Sequence, residues 1–131
     1  MKKILTALFC ISSLAFSSQL YAHNETTCKQ VKFQSTDSTW AGHYYLQGVM
    51  EVGSELLLEP NGKFKWYLAV GALDQYAEGT WWKNGNCIGL KAASKYAKKL
   101  EIFPTRLEIH DKDLVVTWLG GQQDGVYRVA E

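Results

Sequence analysis

The segment Glu55–Val70 limits the fold more than any other part of the chain. Two apolar runs, Glu55–Glu59 (ELLLE) and Phe64–Val70 (FKWYLAV), flank Pro60-Asn61-Gly62-Lys63. Proline presets one turn dihedral, asparagine tolerates left-handed backbone and glycine adopts it freely, so this order between apolar runs encodes a β-hairpin. In the second run Phe64, Trp66, Leu68 and Val70 fall on one face and Lys65, Tyr67 and Ala69 on the other. That period of two is the mark of a half-buried strand.

The same grammar continues along the chain. Gly42–Val49, Tyr76–Lys83, Cys87–Lys91, Arg106–His110, Leu114–Leu119 and Val126–Ala130 read as further strands. Gly71–Gln75 reads as a loop, and Asn84–Asn86, Asp111–Asp113 and Gly120–Gly125 read as turns. Ala92–Lys99 has helical composition but is too short to hold a helix alone. The expectation is an all-β fold: an antiparallel up-and-down meander of about eight strands closing into a small barrel, with at most one short helix. Closure removes the exposed edges that an open sheet of this size would carry.

The chain start has the three parts of an export signal: Lys2 and Lys3, the apolar run Ile4–Phe16, and a more polar stretch ending at Ala22. The apolar run is short of the roughly 20 residues that span a bilayer, so cleavage after Ala22 is expected. Cys10 lies inside that run and leaves with it. The mature chain then begins at His23, with a polar arm 23–39 preceding a barrel domain 40–131. The signal removes two lysines and no acid from 14 basic and 13 acidic residues, leaving 12 and 13, net −1. A near-neutral domain carries no electrostatic footprint for nucleic acid. No later stretch is long and apolar enough to cross a membrane, and a periplasmic or secreted location is expected. Two cysteines remain, Cys28 and Cys87, far from C-x-x-C spacing. In an oxidising compartment such a pair forms one structural disulfide, which would stabilise the fold by roughly 4 kcal/mol by closing a loop of about 60 residues.

Catalytic chemistry is hard to assemble from these residues. The histidines are His23, His43 and His110, and neither Gly-x-Ser-x-Gly nor His-Glu-x-x-His occurs. No catalytic residue, cofactor or metal site is assigned; His110 with Asp111 and Asp113 reads as a solvated hairpin turn rather than a cation site. Lys91, Lys95, Lys98 and Lys99 read as a solvated basic face. The aromatic residues say more. Trp40, Trp66, Trp81, Trp82 and Trp118 are joined by Tyr44, Tyr45, Tyr67 and Tyr76. Adjacent strand residues face opposite sides, so one of Tyr44/Tyr45 and one of Trp81/Trp82 must point outward. The outward member either packs under the arm or the 92–99 segment, or serves recognition. The candidate binding residues are therefore Tyr44, Tyr45, Trp66, Trp81 and Trp82, with Asp74 from the Gly71–Gln75 loop.

Trp40-Ala41-Gly42-His43-Tyr44, then ELLLEPNGKFKWYL (55–68) and AEGTWW (77–82), resemble small exported bacterial β-barrel proteins described as lipocalin-like or calycin-like. The resemblance covers residues 40 to 90 and implies a barrel more than an activity. The functional expectation is a non-catalytic binding protein of the cell envelope. It would recognise a protein partner, such as an enzyme to inhibit or a toxin to neutralise. The alternatives are a carrier of a small apolar ligand and a hydrolase with an unrecognised site.

Overall fold

The computed structural model describes residues 28–130; the export signal and its cleavage point fall outside the described residues. A 3-10 helix, Ser35–Trp40, is followed by β1 (Gly42–Gln47), β2 (Val52–Leu58), β3 (Lys63–Val70), β4 (Leu73–Asn84) and β5 (Cys87–Ala92). A short helix α1 (Ser94–Ala97) precedes β6 (Pro104–His110), β7 (Asp113–Trp118) and β8 (Val126–Val129). Each strand pairs antiparallel with the next, and β8 pairs back onto β1, so the eight strands form a closed barrel in chain order. The expected all-β meander and its closure are what the chain adopts.

The hairpin 55–70 forms as its sequence dictates. Glu59 and Lys63 close the loop through Glu59 N–H to Lys63 O (2.8 Å), and Gly62 at φ +87° returns the chain. The Gly71–Gln75 loop needs correction. Leu73 and Asp74 pair with Val70 and Ala69, so the connection shrinks to Gly71-Ala72, with Gly71 at φ +56°. β1 also stops two residues early, at Gln47, because Gly48 turns at φ +89°. β2 starts earlier than its apolar core, since Val52–Ser54 continue the ladder opposite Leu68–Val70.

Side chains from alternate positions fill the barrel. Leu56, Leu58, Phe64, Trp66, Ile88, Leu107, Leu114 and Val116 are almost wholly buried. Fully burying one aliphatic or aromatic side chain contributes roughly 1.5–3 kcal/mol, so this alternation is the main driving term for closure. A directed hydrogen-bond chain crosses the middle. Trp66 Nε1–H donates to Tyr127 Oη (2.9 Å), Tyr127 O–H to Ser54 Oγ (2.6 Å), and Ser54 O–H to the Tyr67 carbonyl (2.6 Å). The Trp66 indole N–H and the Tyr127 and Ser54 hydroxyls all have partners, which is what permits Ser54 and Tyr127 to be buried.

The two ends of the barrel are finished differently. At one end, with the 59–62, 85–86 and 111–112 turns, the N-terminal arm acts as a plug. The Phe33 ring meets Trp81 edge to face (centroids 4.9 Å) above Gly62, where a Cβ would lie 2.9 Å from the Phe33 ring. Cys28 is bonded to Cys87 across a sequence separation of 59, Cα–Cα 6.0 Å, so the expected disulfide is present. At the other end the long β5–β6 connection folds inward. It is held by Gln75, whose Oε1 accepts from Glu101 N–H (2.5 Å) and Ile102 N–H (3.2 Å), while its Nε2 donates to Lys99 O (3.3 Å). Phe103 enters the core behind it, edge to face with Trp66 at 5.2 Å.

Candidate functional site

Pleating places His43 and Tyr45 of β1, Glu55 and Leu57 of β2, Lys65 and Tyr67 of β3, and Asp74, Tyr76 and Glu78 of β4 on the outside of four consecutive strands. The register aligns Tyr45, Glu55, Tyr67 and Tyr76 in one row across the sheet, and His43, Leu57, Lys65 and Glu78 in the next. Tyr45, Tyr67 and Tyr76 are exposed by 39%, 42% and 43%, a large apolar surface for one sheet face.

These rings are held in place by carboxylates. Tyr67 O–H donates to Asp74 Oδ1 (3.2 Å) and Tyr76 O–H to Glu78 Oε2 (2.6 Å). His43 Nε2 lies 2.7 Å from Glu55 Oε1 and its ring stacks on Tyr45 at 4.6 Å. Tyr76 also meets Tyr96 of α1 edge to face at 5.7 Å. The hydrogen bond donated to Glu78 is the main cause pushing the Tyr76 hydroxyl up to about 12, and the Asp74 bond and charge raise Tyr67. Both hydroxyls therefore stay protonated donors across the physiological range. Between the rows runs a cleft of about 220 Å³ bounded by His43, Leu57, Lys65, Tyr67 and Tyr76. Such an arrangement can present oriented aromatic faces to a partner at small entropic cost, because tyrosine has only two side-chain torsions and the Tyr67 and Tyr76 hydroxyls are held by carboxylates.

The candidates read from the sequence divide sharply. Tyr45 and Asp74 lie on this face. Tyr44 points inward, 3% exposed, and donates to the Trp40 carbonyl at 2.7 Å. Trp66 and Trp81 are inside the barrel, Trp66 bonded to Tyr127 and Trp81 to the Glu59 carbonyl (2.9 Å). Trp82 does point outward, but it is only 7% exposed. Its ring lies over Gly89, where a Cβ would sit 2.2 Å away, and its Nε1–H donates to the Cys28 carbonyl (3.3 Å). The arm covers it, so of the two aromatic pairs only Tyr45 is free to meet a partner. Tyr67 and Tyr76 join Tyr45 on this face although neither is among the binding residues that the sequence suggests. The alternation that puts Trp66 and Leu68 inside puts Tyr67 outside, and the same rule applied to Tyr76–Lys83 exposes Tyr76.

A second concavity opens at the end opposite the arm. Val49, Val52, Leu68, Val70, Ile102, Trp118, Leu119, Gln122, Glu101 and Asp124 line a mouth of about 330 Å³ above the filled middle of the barrel. A shallower cleft lies beside the 3-10 helix, between Trp40 and the turn residues Asp111 and Lys112. Among the described residues no three histidine, cysteine, aspartate or glutamate side chains gather as a metal site, and no helix is long and apolar enough to cross a membrane. The fold and site together define a closed eight-stranded antiparallel β-barrel with a tyrosine-rich outer face and an open mouth opposite the arm. Comparison with protein-family models, curated proteins and solved structures finds no match.

Proposed function

We propose that this chain is an exported, non-catalytic binding protein of lipocalin-like build whose outer β1–β4 face recognises a protein partner of the cell envelope, in an inhibitor or immunity-like role. The observation that carries this reading is the row Tyr45, Tyr67 and Tyr76, each exposed by about two-fifths and oriented through its neighbours. Tyrosine is enriched at the residues that dominate protein interfaces, and rings already fixed in place lose little freedom on binding. Export is supported by the lysine-led apolar start and by the Cys28–Cys87 bond, which persists in an oxidising compartment.

The test is capture from an envelope extract with the mature protein as bait, compared with Tyr67→Ala and Tyr76→Ala. Truncating a central aromatic typically costs about 2 kcal/mol or more of binding, so a genuine partner is lost from both variants. It should be retained by Leu119→Gln at the mouth. A captured protein that binds the two tyrosine variants as well as the parent would exclude the outer face.

The mouth favours a second reading, a carrier of a small apolar ligand. Its volume, about 330 Å³, lies at the lower end of the range for small-molecule pockets.

A further inference from the structure

We infer that the open mouth selects small amphiphilic cations, an amine or quaternary ammonium head carried on a short apolar body. This inference rests on the second reading above and adds the charge and class of the ligand. The wall is apolar where it is deep: Val52, Leu68, Val70 and Ile102, with Trp118 beside them. At about 30 Å³ for each water-sized group, a volume of about 330 Å³ admits a body on the order of ten non-hydrogen atoms.

The charges of the lining have one sign. Glu101 and Asp124 are its ionisable residues, and no lysine, arginine or histidine lines the mouth among the described residues. Lys98 and Lys99 precede Glu101 on the same connection but do not line it. Neither carboxylate is in an ion pair among the described residues. The chain carries almost no net charge, so the acidity is a local property of the mouth.

Both acidic positions are anchored to the barrel through inward-facing side chains. The Glu101 N–H donates to Gln75 Oε1 (2.5 Å). The Asp124 carbonyl accepts from Trp118 Nε1–H (2.7 Å). Buried polar groups are thus used to fix the backbone that carries the two carboxylates over an apolar cavity. A cation whose tail fills the cavity brings its head beside two negative side chains carried on an anchored rim, whereas an anion of equal shape meets repulsion there.

The experiment is titration calorimetry of the mature, disulfide-bonded protein at low ionic strength with octyltrimethylammonium, octanol and octanoate. The cation should bind at least about tenfold more tightly than octanoate, and the preference should shrink in high salt. The double variant Glu101→Gln/Asp124→Asn alters exposed loop positions and should keep the fold by circular dichroism while bringing the two affinities together. On adding the cation, backbone amide shifts should concentrate at 49–52, 101–102 and 118–124. Equal binding of cation and anion, or a preference that survives the double variant, overturns the charge selection while leaving a ligand-binding mouth. Binding of none of the three probes, or shifts elsewhere on the barrel, overturns the mouth as a ligand site and the selection with it.

Discussion

The two ends of this barrel begin from the same kind of sequence, alternating strands joined mostly by short turns, and finish in opposite ways. At the arm end, segments remote in sequence converge: Phe33 on Trp81, Cys28 on Cys87, and Trp82 between Gly89 and the Cys28 carbonyl. At the mouth, the closing segment is the local β5–β6 connection, held chiefly by Gln75 and by Phe103, and it leaves a space of about 330 Å³. Plugging one end supplies the long-range constraint that a domain of this size needs. The other end is thereby free to stay partly unfilled, which is what a binding mouth requires.

The contrast predicts where damage is most costly. Replacing both cysteines, Cys28→Ser/Cys87→Ser, should lower stability by roughly 4 kcal/mol, read from the urea midpoint of the mature protein. A loss below about 1 kcal/mol would mean that the arm is a passenger and the plugged end is not special. Gly89→Ala probes the same end through packing. Its new Cβ would sit 2.2 Å from the Trp82 ring, so the ring must leave its place under the arm. Overpacking of this kind costs typically about 1–3 kcal/mol, and Trp82 emission should shift to the red as the ring meets water.

The middle layer, common to both ends, sets the alkaline limit. Burial pushes Tyr127 up to about 12 and is also what raises Tyr44 to about 12, against an ordinary value of 10.0. Both folded values lie above the unfolded one, so the stability these groups contribute is fully present below pH 10 and is lost as pH rises through 12. Tyr127, the more deeply buried, should account for roughly 2–3 kcal/mol of that loss. Ultraviolet titration should find Tyr44 and Tyr127 ionising only as the barrel unfolds, above the ordinary tyrosine value of 10.0. Ionisation of Tyr44 and Tyr127 near pH 10, with the barrel still folded, would show that the middle of the barrel is open to solvent.

Much of this was legible in the residues. Period-two alternation in Phe64–Val70 and the Pro60-Asn61-Gly62 turn are local signals, and local signals sufficed for strand identity, the meander and closure. The cysteine pair was legible because only two remain once the export signal is set aside. The site was less so. Alternation says that one of Trp81 and Trp82 faces out, but not that the arm returns to cover Trp82. That depends on a contact between residues 28 and 82, made possible by the missing side chain of Gly89. The sequence places Gln75 in a loop, whereas its inward position on β4 lets it hold the β5–β6 connection. Such roles arise from long-range packing, which leaves no period in the sequence.

The smallest expected effect is also the sharpest check on the openness of the mouth. Leu119 follows β7 at the lip, its backbone N–H bonded to the Phe103 carbonyl (2.7 Å) and its side chain 49% exposed. Leu119→Gln keeps the backbone bond and the approximate length of the side chain and changes only its polarity. Little apolar surface is withdrawn from a buried environment, so stability should move by no more than about 0.5 kcal/mol in urea unfolding. If the mouth were instead a packed continuation of the core, the same substitution would place an amide among Val49, Val52 and Ile102 without partners, a burial that costs about 1–3 kcal/mol. A measured loss in that range would therefore make the two ends alike, both closed, and would leave the outer tyrosine face as the surface through which this barrel meets anything else.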